Sequence, residues 1–246
     1  MGAAIDISLV AVWLACSGCQ LVFSLDPVTD PPTPGCSEDD VKLCLSFGDG
    51  LVGDTTTDES GNDNDALISK VTRIERKGHN AARLTAASEI TIKNVNTLNF
   101  GGPLSFDAFL RWRGGGDATQ AIVDNVEAYG IAINTSGSVF CTIILDTTPF
   151  VSIASTAFMP GITIDVWHHV ACVYDPEVGL TVYLDGMPRM TEPNGIQNMV
   201  ATNRGGRVHV GSLDDGSAKF LGDVDDVRVL TRALTEGEII ETVNAD

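Results

Sequence analysis

The residues whose types and spacing could do chemistry are carboxylates grouped in two stretches of the sequence. The first stretch is GDTTTDESGNDND, at residues 53–65, and the second is GDVDDV, at residues 222–227. Oxygen-rich loops suit Ca²⁺, a hard cation that binds carboxylate, amide and carbonyl oxygens. Counted from Asp58, the first stretch lacks the glycine and the final glutamate of an EF-hand, which excludes that motif. The two stretches predict a calcium site of another kind, with solvated acidic loops as the alternative.

A second group of reactive residue types lies in WHHVACVYDPEVGLTVYLDG, at residues 167–186. Successive side chains of a strand point to opposite faces, so His168 and His169 cannot both bind one metal from regular β structure. The sequence contains no H-E-x-x-H, which excludes a zinc protease of that type. The DPEVG turn and the alternating apolar residues after it predict a β-hairpin. We therefore assign both histidines to a sheet.

The overall charge and composition narrow the class of protein and its partners. The chain of 246 residues carries a formal net charge of −18 at pH 7. Such a chain repels phosphate backbones, so we expect no nucleic-acid partner. Its 43% hydrophobic and 20% charged residues allow a real core and argue against wholesale disorder. The length is compatible with one all-β domain.

The N-terminal residues predict export. The apolar run at residues 7–15 is too short to span a bilayer and fits the core of a signal peptide, which we assign to residues 1–18. The residues SGC, at positions 17–19, resemble a bacterial lipoprotein box. This resemblance implies that Cys19 carries lipid and that the protein lies in the cell envelope, at the outer membrane. The alternative is an ordinary secretory signal and a secreted protein. Residues 19–40 contain four prolines and predict an extended tether.

A lipid on Cys19 would be the only membrane attachment, since no second apolar run is long enough to span a bilayer. Export also predicts disulfides among the four cysteines that remain once Cys16 has left with the signal peptide and Cys19 carries lipid. Four cysteines allow three pairings, and proximity in sequence favours Cys36–Cys44, which leaves Cys141–Cys172. No C-x-x-C follows the signal peptide, so a zinc site is not expected.

From residue 41 onward, short alternating or apolar runs are separated by Gly, Asp, Asn and Pro. They predict strands at residues 41–47, 81–84, 90–92, 104–113, 121–123, 129–134, 139–145, 151–155, 167–174, 180–184, 207–212 and 225–230. Many short strands indicate a sandwich or barrel rather than βαβ units. A short helix is predicted at about residues 236–243, because Thr235 and Glu238 have the spacing of a capping box.

Several of these segments resemble the laminin-G-like family of concanavalin A-like domains. WHHVACVYD and GLTVYLDG are similar to the family's central hairpin, and GDVDDVRVLTRALTEGEI is similar to its closing segment. LSFDAFLRWR and LCLSFGDGLVGDTTTDESGND resemble an internal strand and the first strand with its Asp-rich loop. The resemblance covers residues 41–246 and implies one all-β domain, a two-sheet antiparallel jelly-roll sandwich with a short C-terminal helix. It also supports the pairing of Cys141 with Cys172.

The same resemblance implies a structural Ca²⁺ between the first-strand loop and the terminal strand. Carried over by position, the ligands would be Asp54 or Asp58, Asn62, and Asp225 or Asp226. The alternative is a solvated loop and an aspartate that pairs with Arg228 or caps a turn. A sugar ligand would also need an aromatic ring to stack on. Trp112, beside the GGG at residues 114–116, is the residue we predict for stacking, with core packing as the alternative.

Three functions fit these features. The first is a non-catalytic recognition module of the cell envelope that binds a glycan or a cell-surface protein. The second is a glycoside hydrolase of the concanavalin A-like class, which needs two carboxylates beside the scissile bond. The third is a purely structural or adhesion domain. The Glu-x-Asp-x-x-Glu string of the related glucanases and the G-x-S-x-G of serine hydrolases are both missing, so we predict the first function and no enzyme.

Overall fold

A computed structural model describes residues 35–48, 54–92, 96–99, 101–126, 128–147, 151–157, 161–193 and 207–245. Its strands, numbered in chain order, are β1 (Val41–Leu45), β2 (Thr55–Thr56), β3 (Ala66–Ser69), β4 (Thr72–Arg76), β5 (His79–Leu84), β6 (Glu89–Ile92), β7 (Leu104–Trp112), β8 (Thr119–Asn125), β9 (Tyr129–Asn134), β10 (Val139–Leu145), β11 (Val151–Ala157), β12 (Trp167–Asp175), β13 (Gly179–Leu184), β14 (Met187–Pro193), β15 (Val208–Val210) and β16 (Gly222–Leu230). A 3-10 turn (Asn96–Leu98) and one helix, α1 (Glu236–Ala245), are also present. The predicted signal peptide, Cys19 and most of the predicted tether lie outside the described residues.

The strands form two antiparallel sheets that pack face to face. The first sheet has the order β14-β13-β12-β7-β16-β5-β4, and β1 also pairs with β16. The second sheet has the order β11-β10-β9-β8-β15-β6-β3-β2. This is the jelly-roll sandwich with a short C-terminal helix that the sequence predicts, and that prediction is confirmed.

Strand alternation builds the core between the sheets. In β7, residues Leu104, Phe106, Ala108, Leu110 and Trp112 all belong to the core cluster, and the residues between them turn to the outer side of the first sheet. The inward side chains of β9 and β10 meet them from the second sheet. Burying one aliphatic or aromatic side chain of this size stabilises the fold by roughly 1.5–3 kcal/mol. The apolar members of the alternating runs therefore hold the sheets together, and the polar members lie on the outer sides of the sheets.

A second, smaller apolar cluster covers part of the outer side of the first sheet. Helix α1 and the turn at residues 35–40 pack there, and the buried members of the cluster are Cys36, Val41, Cys44, Ala171, Val173, Leu230, Leu234 and Ile239. The backbone N–H of Thr231 donates to the carbonyl of Asp40 at 2.9 Å. Residues 35–40, which the sequence pattern assigns to the tether, are thus folded onto the domain.

Both predicted disulfides are present, Cys36–Cys44 and Cys141–Cys172. The first fixes the N-terminal turn to β1, and the second joins β10 of one sheet to β12 of the other. Disulfides form and persist in oxidising compartments, so the pair fits an exported protein. In the part of the chain that the structure describes, no helix is both long and apolar enough to cross a membrane.

The sequence pattern does not predict β2, β3, β4 or β14. Three of these are edge strands, β4 and β14 in the first sheet and β2 in the second, and β3 lies beside β2. Every residue of β14, MPRMTEP, is exposed. Edge strands tolerate charges and prolines because one side of the strand makes no ladder hydrogen bonds. Hydrophobic alternation therefore does not mark them.

Candidate functional site

The candidate site lies on the outer side of the first sheet, next to the area that the second cluster covers. Strand register sets Arg111 of β7 opposite Trp167 of β12 on one side and opposite Asp223 of β16 on the other. Asp223 in turn lies opposite Arg83 of β5. Four strands thus bring charged and aromatic side chains together. We call this surface the arginine patch and define it as Arg76, Arg83, Arg111, Arg113, Trp167 and Asp223.

Asp223 is fully buried and accepts hydrogen bonds from three arginines. Arg83 Nε donates to Oδ1 at 2.8 Å, and Arg111 Nε and Arg113 Nη2 donate to Oδ2 at 2.7 and 2.9 Å. Burial alone would raise the pKa of Asp223, but the three guanidinium groups outweigh it and hold the pKa below its ordinary value. The arginine side chains stay 37%, 24% and 37% exposed for Arg83, Arg111 and Arg113. One buried carboxylate thus orders three cations that solvent can reach.

Trp167 is partly exposed and lies near two guanidinium groups. The Cζ atoms of Arg76 and Arg111 are 5.0 and 5.1 Å from the centroid of its ring. At such distances the ring face attracts the cations. Arg76 also lies over Phe109, 3.9 Å from that ring's centroid, but Phe109 is only 5% exposed. Trp167 is therefore the aromatic side chain of the patch that a ligand can contact.

Trp112 does not fit the stacking role that the sequence predicts for it. Its side chain is 4% exposed and belongs to the core cluster, because it shares the inward face of β7 with Leu110. The two residues beside it in sequence, Arg111 and Arg113, join the patch instead. Core packing, the alternative for Trp112, is what the structure shows.

Asp225 and Asp226, two of the predicted calcium ligands, lie against a cation of the protein itself. Arg76 Nη1 is 2.9 Å from Asp225 Oδ2 and 3.3 Å from Asp226 Oδ2. His79 Nδ1 is 3.4 Å from the same oxygen of Asp225. Burial and the adjacent Asp226 carboxylate raise the pKa of Asp225, and Arg76 opposes them. Arg76 therefore supplies the positive charge that this acidic pair requires.

Asp58, another predicted ligand, is buried and organises the first-strand loop. Its Oδ1 accepts a hydrogen bond from the backbone N–H of Cys44 at 2.9 Å. Its Oδ2 accepts hydrogen bonds from the backbone N–H of Asn64 at 3.0 Å and from the hydroxyl of Ser60 at 2.7 Å. Aspartates commonly order turns by accepting such bonds from nearby backbone groups. Both carboxylate oxygens of Asp58 are thus engaged by donors of the protein.

The remaining predicted ligands do not complete a calcium site. Asn62 Nδ2 donates to the carbonyl of Val41 at 2.9 Å, and Asp54 is exposed. Among the described residues, no group of three or more His, Cys, Asp or Glu side chains is placed to hold a metal ion. Residues 49–53, between β1 and this loop, lie outside the described residues. The five predicted ligands and the calcium ion therefore stay an untested prediction.

The adjacent histidines have separate structural contacts. His168 Nδ1 lies 2.8 Å from Asp185 Oδ2, and its Nε2 accepts the backbone N–H of Thr163 at 3.0 Å. His169 is buried and its Nε2 lies 3.4 Å from Asp107 Oδ2. These contacts agree with the assignment of both histidines to the sheet.

A second group of titratable side chains lies on the outer side of the second sheet. Asp124 of β8 is opposite His209 of β15, and His209 Nε2 is 3.0 Å from Asp214 Oδ1. Burial raises the pKa of Asp124, although the backbone of Asp214 and the His209 ring oppose it. A carboxyl group with a raised pKa near a second carboxylate is an arrangement that general acids use.

Sequence reasoning does not single out Trp167 or the four arginines of the patch. One available signal is LRWRGGG, because Arg111 and Arg113 share a face of the same predicted strand. The partners of these two arginines lie far away in sequence. Asp223 is 112 residues from Arg111, and strand register, which no local pattern encodes, brings them together.

Comparison with known proteins places this fold in a family. The model described as "Concanavalin A-like lectin/glucanases superfamily" matches residues 84–240. The binding domain of Paraclostridial Mosquitocidal Protein 1 is similar in structure, with a TM-score of 0.64 and 16% identity, over 84% of this chain and 52% of that chain. The binding domain of botulinum neurotoxin serotype G has a TM-score of 0.64 and 15% identity, over 83% of this chain and 51% of that chain. This chain thus spans about half the length of those two binding domains.

A third similar structure is domain 4 of AbnA, a GH43 extracellular arabinanase from Geobacillus stearothermophilus, solved in complex with arabinotriose. Its TM-score is 0.62 and its identity 17%, over 83% of this chain and 98% of that domain. At these identities the structural likenesses show the fold alone. The family model covers more than half of the chain and includes β7, β12 and β16 of the arginine patch. The chain belongs to the concanavalin A-like lectin/glucanases superfamily.

Proposed function

We propose that this protein is an exported, non-catalytic recognition module that binds carbohydrate at the arginine patch. The observation that carries the proposal is the partly exposed Trp167 ring beside the guanidinium groups of Arg76 and Arg111. An indole face stacks on the apolar face of a sugar ring, and guanidinium N–H groups donate to its oxygens. The arabinotriose complex of the AbnA domain and the toxin domains named as binding domains support a binding role for this fold.

The proposal includes a location outside the cell. The two disulfides support it, because such bonds persist in oxidising compartments. Anchoring through lipid on Cys19 in the outer membrane is part of the proposal, and a secreted form without lipid is its alternative. A cell-surface protein is the alternative ligand, and a titration with glycans alone distinguishes the two.

The test is a glycan array probed with the full oxidised chain, followed by titration of the glycans that bind. W167A removes the stacking ring and should weaken binding by about tenfold or more. F140A is the matched control, since Phe140 is another partly exposed aromatic but lies on the second sheet. An array on which no glycan binds, or a W167A protein that binds as wild type, would contradict the proposal.

Glycoside hydrolysis is the second candidate function, and Asp124 with its raised pKa is the observation that favours it. The protein would be incubated with the same oligosaccharides and assayed for new reducing ends. We expect none to form, because Asp223, the carboxylate of the arginine patch, is fully buried and accepts hydrogen bonds from three arginines. Hydrolysis that D124N abolishes would favour the enzyme over the recognition module.

A further inference from the structure

Around Asp223 the arginine patch holds more positive than negative charge, whereas its fourth arginine, Arg76, already faces Asp225 and Asp226. Arg83, Arg111 and Arg113 converge on Asp223, and Asp165 lies 3.6 Å from Arg113 while 65% exposed. Three guanidinium charges thus face two carboxylates, whereas the whole chain carries a net charge of −18. Like charges held this close repel one another, so the patch gains from a further anion.

The arrangement of the donors indicates which anion fits. Arg111 and Arg113 share Oδ2 of Asp223, and Arg111 also lies against Trp167. The cations and the ring therefore belong to one continuous surface. Arginine presents paired N–H groups that match the two oxygens of a carboxylate. A ligand that spans the surface would present an apolar ring face to Trp167 and a carboxylate to the arginines.

The net charge of the protein limits the ligand further. A polyanion would be repelled by the net negative charge of the protein. A single carboxylate interacts mainly with groups within about 8 Å at physiological ionic strength, because salt screens the more distant charges. The patch therefore suits a ligand with one local negative charge rather than a densely charged polymer.

We infer that the arginine patch recognises an acidic sugar, with the sugar ring on Trp167 and its carboxylate on the exposed guanidinium groups of Arg83 and Arg113. This inference rests on the proposed function and names the class of its ligand. Arg111 lies between Trp167 and the two arginines that bind the carboxylate. Asp223 is a positioning residue that holds the three arginines in place.

The experiment compares uronic-acid and sialic-acid oligosaccharides with their own methyl esters on an array, using the full oxidised chain. Esterification removes the charge and keeps the ring. We expect the acid to bind about tenfold or more tightly than its ester, because charge-assisted hydrogen bonds to arginine are lost. Raising the salt concentration should weaken binding of the acid more than binding of the ester.

The single variants R83A and R113A then test which arginines bind the carboxylate of the sugar. Each variant leaves two arginines on Asp223, so the buried carboxylate keeps a counter-charge. Each should reduce the preference for the acid by several-fold, and R189A, which removes an exposed arginine of β14, should not. Equal affinity for acid and ester would overturn the inference, whatever the variants do. Binding of neutral glycans that W167A abolishes would then leave the proposed function standing, whereas an array without any bound glycan would contradict both.

Discussion

Asp107 and Arg228 form a buried, bidentate ion pair that joins two central strands of the first sheet. Arg228 Nε donates to Asp107 Oδ1 at 3.0 Å, and Arg228 Nη2 donates to Oδ2 at 2.5 Å. The same Nη2 donates to the hydroxyl of Thr242 in α1 at 3.1 Å. The pair therefore connects β7, β16 and the helix that covers the second cluster. The alternative to a calcium site paired Arg228 with an aspartate of the GDVDDV stretch, whereas its bidentate partner is Asp107 of β7.

The substitution D107N should destabilise the protein by about 3–5 kcal/mol, because it leaves Arg228 buried without a counter-charge. Urea unfolding of the variant and the wild type measures the difference. The double variant D107N/R228M also removes the unpaired buried charge of Arg228 and should recover part of the lost stability. A D107N protein as stable as the wild type would show that the ion pair does not hold the sheet.

The same pair should make stability depend on pH in the acid range. Burial would raise the pKa of Asp107, but Arg228 and His169 outweigh it and lower the pKa from 3.8 to about 2. Between pH 3.8 and about 2, the Asp107 carboxyl group is protonated in the unfolded chain and ionised in the folded chain. The free energy of unfolding should therefore fall by about 2 kcal/mol as the pH drops from 4 to 2.

Urea unfolding at pH 5, 4, 3 and 2 measures this acid dependence. D107N lacks the titrating carboxyl group, so its unfolding free energy should change less with pH than that of the wild type. Identical slopes for the two proteins would assign the acid dependence to other carboxylates.

The strands that the sequence predicts well are those with an inward apolar face. The predicted limits of β9 and β10 agree with the structure, and the C-terminal helix begins at Glu236 as predicted. The capping box forms, since Glu238 Oε2 accepts the N–H of Thr235 at 2.8 Å. These features depend on contacts between residues close in sequence, so a local pattern encodes them. The charged strand β4, which carries Arg76, has no such pattern.

The candidate site is less predictable because its contacts are distant in sequence. Arg76 and Asp225 are 149 residues apart, and Arg83 and Asp223 are 140 apart. The acidic stretch GDVDDV suggests a metal when it is considered alone. Only the pairing of β16 with β5 and β7 shows that arginines surround Asp223. The contact of Arg76, on β4, with Asp225 is likewise visible only in the folded structure.

Calcium should not raise the melting temperature of the full chain above its value in EDTA. Arg76 lies against Asp225 and Asp226, and donors of the protein engage both oxygens of Asp58. A bound ion at about 100 times its dissociation constant would add about 2.7 kcal/mol to stability, which thermal unfolding detects easily. A rise in melting temperature on adding calcium would restore the metal site that the sequence predicts.

The variant R76M tests whether Arg76 supplies the charge in place of an ion. It leaves Asp226 and the buried Asp225 without their guanidinium, and it should lower the melting temperature most above pH 8, since burial and Asp226 raise the pKa of Asp225 to about 8. R189M, at an exposed position of β14, is the matched control and should unfold as the wild type does. If R76M and R189M unfold alike, Arg76 has no such role.

The two disulfides should differ in how much they stabilise the fold. Cys141 and Cys172 are 31 residues apart, and Cys36 and Cys44 are 8 apart. Loop-closure entropy grows with loop length, so losing the longer crosslink should cost about 1 kcal/mol more. The double variants C141A/C172A and C36A/C44A make a matched comparison, because all four side chains are buried. Urea unfolding under oxidising conditions measures both. A larger loss in C36A/C44A would mean that fixing residues 35–40 and α1 over the outer side of the first sheet matters more than joining the two sheets.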